Sequence, residues 1–313
     1  VAPGTYNETL VSIRSGVAGA PVTLRAAAPR TAIVTSAGRV LTVGHAYLGV
    51  DGLVLDGQYG GDDVVRVTGA GDFLLLRNSE VRRSSKDLID LASPVGVVIE
   101  GSLLHHALNA AGGRTDAHGV VAGAVRDMTI RDTEIHTFSG DGLQVDPGRA
   151  APGWDLVTVE RSKIWLAPLP APENGFAAGV VPGEDAIDTK QAASNLRSRL
   201  IVRDTIASGF PGGLIGNMAA FNLKEYVDVT VDGVTVSDSE IAFRLRGPGT
   251  GARVLVTNAV VHDVTTAFRY EDNIQSLRIW NSTVGRNVTR AFQAAAAPAA
   301  VLDVRNLLSM PVL

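Results

Sequence analysis

The stretch MTIRDTEI, residues 128–135, alternates apolar and polar side chains, breaks at Asp132 and resumes with another apolar position. The same pattern recurs in LGVDGLVL (from Leu48), LLLRNSEV (Leu74), VVIEGSLL (Val97), VTVERSKI (Val157), LIVRDTIA (Leu200), VTVDGVTV (Val229), VLVTNAVV (Val254), LRIWNSTV (Leu277) and VLDVRNLL (Val301). Alternation with period two is typical of a β-strand, and Asn, Asp and Gly tolerate the left-handed backbone of a tight turn. Each block therefore predicts two short strands joined by a turn.

The spacing of these blocks indicates the fold class. Val97 follows Leu74 by 23 residues, and Val301 follows Leu277 by 24. A period of this length, built from strands and turns without helical periodicity, is typical of one coil of a parallel β-helix. We predict one all-β domain over residues 1–313, a solenoid of ten or more coils. Wider spacing in the middle of the chain predicts loops, inserted by residues 105–228, over one face.

A second strand of each coil can be aligned in DLIDLA (from Asp87), DGLQVDP (Asp141), DAIDTK (Asp185), GLIGNM (Gly213), IAFRLRG (Ile241), TAFRYED (Thr266) and RAFQ (Arg290). Parallel strands lie about 4.8 Å apart, so equivalent side chains stack in columns. The inward column is predicted to contain Leu88, Leu143, Ile187, Leu214, Phe243, Phe268 and Phe292. One outward column is Asp90, Gln144, Asp188, Gly216, Arg244, Arg269 and Gln293, and the next is Ala92, Asp146, Lys190, Met218, Arg246 and Glu271. The outward wall therefore changes from acidic to basic along the solenoid.

Composition excludes several classes of function. The 313 residues carry a net charge of −4 without runs of like charge, so we expect neither a nucleic-acid nor a membrane-surface partner. The absence of cysteine excludes disulfides, thiol nucleophiles and thiolate zinc sites. No stretch approaches 18 consecutive apolar residues, the length that a membrane-spanning helix needs.

The chain resembles the right-handed parallel β-helix proteins that act on polysaccharides, which include pectate lyases, alginate lyases, chondroitinase B and mannuronan C-5 epimerases. The resemblance rests on the repeat, which covers nearly the whole chain, and on the opening APGTYNETL followed by GVAGAPVTLRA. It implies a single-stranded right-handed parallel β-helix that acts on an anionic polysaccharide. It also implies a monomeric protein that is secreted or periplasmic.

Two short motifs extend this resemblance to a site. Asp116-Ala117-His118-Gly119 is similar to the Asp-Pro-His-Glu motif of mannuronan epimerases and keeps its first and third residues. The stretch SGDGLQ, residues 139–144, is similar to the calcium-binding Asp-Asp-Gly-Phe-Asp stretch of family-nine pectate lyases, with Asp141 as the retained carboxylate and Asp116 matching an upstream aspartate.

The implied chemistry is β-elimination from a uronic acid, in which a base removes the C5 proton while cationic groups neutralise the adjacent carboxylate. Lys190 is the predicted base, because nearby positive charge and partial desolvation favour the neutral amine of a lysine. Arg244 and Arg246 are predicted to bind the carboxylate in a bidentate manner. His118 is a second candidate base or acid. Tyr226 and Tyr270 are candidate proton donors.

The longest insertion contains GEDAIDTK, residues 183–190, which predicts a calcium site because calcium prefers six to eight oxygen ligands. The candidate ligands are Asp116, Asp141, Asp146, Glu184, Asp185 and Asp188. The candidate substrate-binding residues are Gln144, Arg269, Trp154 and Trp165. An exposed indole of Trp154 or Trp165 would stack on a sugar ring, and covering the core is the alternative role for both.

Other interpretations remain open at this point. The charged columns are also what an exposed ion-pair ladder would contain. A C-5 epimerase shares the first half-reaction with a lyase. A glycoside hydrolase needs two placed carboxylates, and the Asn-Thr-Asp and Arg-Ile-Lys motifs of polygalacturonases are absent. A non-catalytic β-helix would bind glycan without any reacting group.

Overall fold

The chain forms parallel strands stacked as a β-solenoid of about 11 turns, so the predicted all-β parallel β-helix is confirmed. The computed structural model describes residues 1–113, 115–212, 215–247, 251–271, 274–295 and 301–310. Within these ranges the helical structure is one 3-10 turn, Ala111–Gly113. No helix there is long and apolar enough to cross a membrane.

Three parallel sheets make up the walls of the solenoid. Sheet I contains Val22–Arg25, Leu48–Asp51, Leu75–Arg77, Val98–Glu100, Arg126–Arg131, Asp155–Glu160, Ser198–Arg203, Val227–Asp232, Arg253–Thr257, Ser276–Trp280 and Val301–Arg305. Sheet II contains Gly4–Asn7, Ala32–Thr35, Leu53–Gly60, Glu80–Ser84, Leu103–Ala107, Glu134–Phe138, Lys163–Trp165, Ile206–Phe210, Val260–Val261, Thr283–Val284 and Leu308–Ser309. Sheet III contains Leu10–Val11, Leu41–Val43, Val65–Val67, Ile89–Leu91, Val120–Ala122, Leu143–Val145, Ile187–Thr189, Ala219–Lys224, Val264–Tyr270 and Arg290–Ala294. The long strand Thr235–Arg246 belongs to sheets II and III.

The turn between sheets I and II explains the break residues of the repeat. Asn78, Asp132 and Asn258 have φ angles of 51°, 51° and 53°, a left-handed conformation that Asn and Asp adopt more readily than most residues. The hydroxyl group that follows the break accepts a hydrogen bond from the coil before it, as where Ser79 N donates to Ser102 Oγ at 3.2 Å. The turn residues are therefore structural, as their sequence pattern indicates.

The inward column of sheet III corrects one alignment. Phe221, Phe243, Phe268 and Phe292 stack with centroids 5.2, 5.2 and 5.6 Å apart, and Phe221 also pairs in register with Ile187. The strand of this coil is Ala219–Lys224. The predicted strand GLIGNM was wrong, because a longer turn precedes the strand and AAFNLK matches the apolar pattern of its neighbours.

This correction changes both outward columns. Asn222 stands beside Asp188 and Arg244 in the position predicted for Gly216. Lys224 pairs in register with Arg246, in the position predicted for Met218. Leu214, predicted to point inward, lies outside the described residues.

The inserted segments flank sheet III on both sides. The insertion between Trp165 and Ile187 occupies the turn from sheet II to sheet III. The segments that follow Val145 and Thr189 occupy the turn from sheet III to sheet I. The outward face of sheet III in the middle coils is therefore the face that the insertions border.

Candidate active site

Five consecutive coils place an ionisable residue two positions before a sheet III strand. The register of those strands aligns the positions of Asp63, Asp87, His118, Asp141 and Asp185. All five side chains are buried, with exposed fractions between 0% and 7%. Since aspartate is seldom fully buried unless it is paired, this column requires a specific explanation.

Asp141, Glu184 and Asp185 form one of two acidic groups of three among the described residues, and Asp63, Asp87 and Asp90 form the other. In the first group, one carboxylate oxygen of each residue lies within 4.8 Å of the other two. The backbone holds the group together, because Asp185 N donates a hydrogen bond to Asp141 Oδ1 at 3.2 Å. Three of the six acids predicted as calcium ligands are therefore brought together.

The polar neighbours of this group do not neutralise it. Gln144 Nε2 donates to Asp141 Oδ2 at 2.9 Å, and Asn222 Nδ2 donates to Asp185 Oδ2 at the same distance. Ala219 N donates to Asp185 Oδ1 at 2.8 Å. Gln144 is buried against Asp141, so its amide supports the acidic group, and its role in substrate binding stays a prediction.

Burial and mutual repulsion act on both aspartates. Burial, followed by the charge of Asp188, raises the pKa of Asp141 to about 6. Burial, then the charges of Asp141 and Asp188, raise the pKa of Asp185 well above its usual value. Hard oxygen donors that repel one another at short range suit a divalent cation such as calcium, which would remove the repulsion. The residues present therefore fit such an ion.

Asp188 connects the acidic group to two lysines. Its Oδ1 lies 2.7 Å from Lys224 Nζ, and its Oδ2 lies 3.4 Å from Lys190 Nζ. The lysine side chains are 12% and 19% exposed, and Lys190 is both the more exposed and the more distant. Two amines from adjacent coils thus share one buried carboxylate on the outward face of sheet III.

His118 lies on the other side of Asp141. Asp87 Oδ1 accepts hydrogen bonds from His118 Nδ1 at 2.8 Å and from its backbone N at 3.0 Å. This leaves Nε2 3.7 Å from Asp141 Oδ2, buried and without a hydrogen-bond partner among the described residues. Burial alone would lower the pKa of His118, but the Asp87 hydrogen bond and the charges of Asp141, Asp87 and Asp116 raise it.

Three arginines surround one glutamate further along the same face. The Nε atoms of Arg244, Arg246 and Arg269 lie 3.0, 3.1 and 2.7 Å from the Glu271 carboxylate. Asn217 receives hydrogen bonds from Arg244 at its carbonyl, at 3.3 Å, and from Arg269 at its side chain, at 2.5 Å. Arg244 is two strands from Asp188 in register, roughly 10 Å. The cluster is positively charged, which confirms the acidic-to-basic change along the face.

Of the other predicted metal ligands, Asp188 lies beside the group of three and is paired with the two lysines, whereas Asp116 and Asp146 do not belong to the group. Asp116 is exposed. Asp146 is 2% exposed, follows the strand Leu143–Val145 with a φ of 48°, and accepts a hydrogen bond from Ala150 N at 3.2 Å. Burial raises its pKa.

Neither predicted indole is placed to stack on a sugar over sheet III. Trp154 is 2% exposed, and its Nε1 donates to the Lys190 carbonyl at 2.8 Å. Trp165 belongs to sheet II, where it stacks on His136 with centroids 4.7 Å apart and lies 4.6 Å from Lys163 Nζ. Trp154 instead packs in the interior and fixes the backbone at Lys190 through its indole N–H. A buried indole usually finds an acceptor for this donor.

The two tyrosines differ in their surroundings. The guanidinium of Arg197 lies 4.0 Å above the Tyr226 ring. Tyr270 pairs in register with Leu245, so it follows Arg269 at the basic end of the face. The geometry brings neither ring to the acidic group.

Three residues of the site were not predicted from the sequence. Asn222 and Lys224 were missed because the coil was aligned six residues too early, and the similarity of AAFNL to IAFRL was the signal that identifies them. Asp87 was aligned correctly with Asp141 and Asp185 at the start of each strand. Its contact with His118 was missed, because it depends on the path of the turn that precedes Val120.

Comparison with known proteins establishes the fold and does not choose the reaction. No protein-family model matches the chain, and no curated protein matches it in sequence. A mannuronic-acid-specific family 6 polysaccharide lyase from human gut microbiota is 12% identical, with a TM-score of 0.58, over 99% of this chain and 76% of the lyase. The A-module of a mannuronan C-5 epimerase from Azotobacter vinelandii is 13% identical, with a TM-score of 0.54, over 100% of this chain and 90% of the epimerase.

A hydrolase has the same architecture. A family 28 exopolygalacturonase from Yersinia enterocolitica is 10% identical, with a TM-score of 0.54, over 100% of this chain and 73% of the hydrolase. The chain therefore has the parallel β-helix fold that these lyase, epimerase and hydrolase structures share. At these identities the function has to be argued from the site itself.

Proposed function

We propose that this protein is a polysaccharide lyase that cleaves a uronate-containing, anionic polysaccharide by β-elimination. The observation that carries the proposal is the arrangement of Lys190 and Lys224 around Asp188, directly beside the acidic group of Asp141, Glu184 and Asp185. It combines amines that can accept a proton with carboxylates that suit a divalent cation.

In the proposed reaction the base takes the C5 proton, and the electrons of the C5–H bond form the C4–C5 double bond. The C4–O bond to the next sugar breaks, and the departing oxygen takes up a proton to become a hydroxyl. We assign the base to Lys190, since its amine is the more exposed of the pair and is 3.4 Å from Asp188. Lys224, at 2.7 Å, keeps Asp188 neutralised when Lys190 changes charge.

Asp141, Glu184 and Asp185 would hold a calcium ion on this face. Bound there, the ion supplies positive charge that neutralises the carboxylate next to C5 and so makes the C5 proton acidic. Without a bound cation, the buried acids would repel the carboxylate of a uronate. Substrate binding at this position would therefore depend on the ion.

The arginine cluster is proposed to bind a uronate carboxylate further along the chain of sugars. Three guanidiniums share one Glu271 carboxylate, and the N–H donors that neither Glu271 nor Asn217 accepts can bind an anionic ligand. At two strands from Asp188, Arg244 is placed to fix the register of the polysaccharide while Lys190 acts on another sugar.

The test is the ultraviolet absorbance of the unsaturated uronate product. The pure protein is incubated with pectate, alginate and glycosaminoglycans, with calcium and with chelator. We expect absorbance to rise with one substrate class, to fall with chelator and to be lost in Lys190→Ala. No rise on any uronate polymer would contradict the lyase proposal.

A uronate C-5 epimerase is the second candidate, and one observation favours it. His118 Nε2 is buried 3.7 Å from Asp141, where a second acid-base group would serve to return a proton to the opposite face of C5. If polymer length is unchanged, but the ratio of epimers changes and His118→Gln abolishes that change, the epimerase is favoured.

A further inference from the structure

A pocket of about 480 Å³ lies on the outer face of sheet I, in the first three coils of the solenoid. Its floor is made by Thr23, Gly49 and Leu75, which are neighbours in register on adjacent strands. A turn at residues 17–20 borders one side. The volume is within the range of small-molecule sites, about 300–1,000 Å³. None of the roles proposed for sheet III uses this pocket.

The floor of the pocket depends on a glycine. Gly49 occupies a column of outward positions that carries a side chain in every other described strand of sheet I, from Thr23 to Asp303. A Cβ atom on Gly49 would lie 2.8 Å from Thr23 Oγ1 and would extend into the pocket. The second coil therefore leaves a depression in a sheet face that is otherwise filled by side chains.

Two aromatic rings form one end of the pocket. Tyr47 and Phe73 stack with centroids 4.6 Å apart and an interplanar angle of 13°. Both have a left-handed backbone, with φ angles of 55° and 57°, which is rare for bulky side chains. Phe73 is nevertheless 43% exposed, and Gly96 leaves room for it, because a Cβ there would lie 2.5 Å from Phe73 Cδ1. Unfavourable backbone conformations of this kind cluster at ligand-binding sites.

Two arginines and one aspartate form the opposite end. Arg25 Nε and Arg77 Nη2 lie 2.8 and 3.0 Å from the same oxygen, Asp51 Oδ2. Asn78 Nδ2 donates a hydrogen bond to the other oxygen at 3.0 Å. The two arginine side chains are 61% and 34% exposed. Two guanidiniums that share one carboxylate leave this end positively charged, and each guanidinium has several N–H donors.

The two ends of the pocket suit different parts of one ligand. Tyr47 and Asp51 are four residues apart on one strand, so the rings and the charged group are separated by roughly 13 Å along the sheet. An inorganic anion would leave the aromatic rings without a partner, and an apolar ligand would leave the guanidiniums without one. A sugar acid uses both, because its C–H face packs on an aromatic ring and its carboxylate binds arginine.

We propose that this pocket binds an acidic saccharide, with one pyranose ring against Phe73 and a carboxylate at Arg25 and Arg77. The pocket is on sheet I, whereas Lys190 lies beside sheet III, so the bound sugar would be held away from the proposed base. The identity of the acid as a uronate rests on the proposed function. The rings and the charge of the pocket do not depend on it.

The test is a titration of the unaltered protein, with ¹³C-labelled phenylalanine and tyrosine, followed in NMR spectra. The probes are saturated disaccharides of galacturonate, of mannuronate and of a glycosaminoglycan. Chelator is present throughout, because the acidic group beside sheet III would repel uronates without its cation. We expect the ring signals of Phe73 and Tyr47, assigned with Phe73→Leu and Tyr47→Leu, to shift with an acidic disaccharide. Lactose, which is neutral, should leave them unchanged.

Three variants test the contacts within the pocket. Gly49→Ala should abolish the shifts, because the added methyl group fills the floor. Arg77→Gln should weaken binding by at least about tenfold, since it removes a hydrogen bond between charged groups. Arg131→Gln is the matched control, because Arg131 pairs with Glu100 on sheet I outside the pocket, and it should bind as the wild type does.

The proposal is overturned if no acidic disaccharide shifts the Phe73 signals, or if lactose shifts them equally. It is also overturned if Arg77→Gln binds as tightly as the wild type. Its failure is distinct from failure of the proposed function. Shifts at Phe73 without an unsaturated product from any polymer would support the pocket and contradict the lyase, and an unsaturated product without these shifts would do the reverse.

Discussion

The carboxylates on sheet I and those beside sheet III have opposite electrostatic surroundings. Asp132, in the turn that follows a sheet I strand, is bound by Arg161 at 2.9 and 3.0 Å, and Asp155, on sheet I, is bound by Arg199 at 3.0 and 2.6 Å. These hydrogen bonds lower the pKa of both aspartates. Beside sheet III, burial raises the pKa of Asp141 to about 6.

The difference separates two explanations that the sequence left open. An ion-pair ladder satisfies its charges and keeps a flat sheet in water, and sheet I has one. The acids beside sheet III are buried against one another, which destabilises the folded chain unless a ligand compensates. Perturbed carboxylates of this kind mark candidate functional sites. The same repeat thus contains an exposed ion-pair ladder and a candidate functional site, and the burial of the carboxylates distinguishes the two.

The largest effect is expected at the proposed base. Lys190→Ala should lower kcat by about 10²- to 10⁴-fold, the usual contribution of general acid-base catalysis. The readout is the initial rate on the active substrate. Lys163→Ala on sheet II is the control and should keep the rate of the wild type. Full activity in Lys190→Ala, with loss in Lys224→Ala, would transfer the role of base to Lys224.

The buried acids should give stability a pH dependence of unusual sign. The pKa of Asp141 is about 6 in the folded chain and 3.8 in model compounds, so the folded state binds the proton more tightly. The contribution of Asp141 to stability in chelator should therefore fall by roughly 3 kcal/mol as the pH rises from about 4 to 6, and then level off. His118, whose pKa is also raised, gives a slope of the same sign at higher pH, above the 6.5 of a free imidazole.

Urea unfolding of the wild type and Asp141→Asn across this pH range measures the effect. The variant should show a smaller slope and greater stability than the wild type at pH 7.5. Asp132→Asn should not share this behaviour, because the lowered pKa of Asp132 gives stability that is lost only as the pH falls through that value. Equal slopes in the wild type and Asp141→Asn would contradict the account of the acidic group.

The arginine cluster should affect substrate affinity more than turnover. Arg244→Ala removes one of three guanidiniums but leaves Glu271 paired with Arg246 and Arg269. We expect KM to rise by roughly 10- to 100-fold with kcat nearly unchanged, because the variant loses the hydrogen bond from Arg244 to the uronate carboxylate. Arg203→Ala on sheet I, where Arg203 pairs with Glu160 at 3.0 Å, is the control. A fall in kcat at constant KM would place Arg244 at the reacting sugar.

The smallest effect is expected on the sheet I ladder. Asp132→Asn removes an exposed pair with Arg161, and exposed pairs contribute little to stability. The variant should unfold at nearly the same urea concentration as the wild type at neutral pH, and its activity should be unchanged. A large loss of activity would mean that sheet I takes part in function.

The sequence predicted the solenoid because every coil repeats the alternation of a strand and the Asn, Asp or Gly of a turn. It also predicted most of the outward column from Asp90 to Gln293, since side chains in stacked strands follow the strand register. It did not predict which charges are buried. The exposure of Asp141 and Asp185 depends on turns whose path the repeat pattern does not determine.

Trp154 and Lys224 show why part of the candidate site could not be predicted from the sequence. Trp154 was predicted to stack on sugar because it lies in an insertion, but the insertion folds back and buries it against the Lys190 carbonyl. Lys224 was missed because a six-residue difference in turn length moved its coil out of alignment. Turn lengths carry little periodic signal, so alignment of columns fails first where insertions occur.

The most direct test of the central claim is release of the C5 hydrogen. A polyuronate labelled with deuterium at C5 is incubated with the protein and calcium, and the label that appears in water is measured. The account predicts release by the wild type, and little release by Lys190→Ala or in chelator. A polymer that is shortened or bound while its label is fully retained would contradict proton abstraction, and would identify a hydrolase or a binding protein.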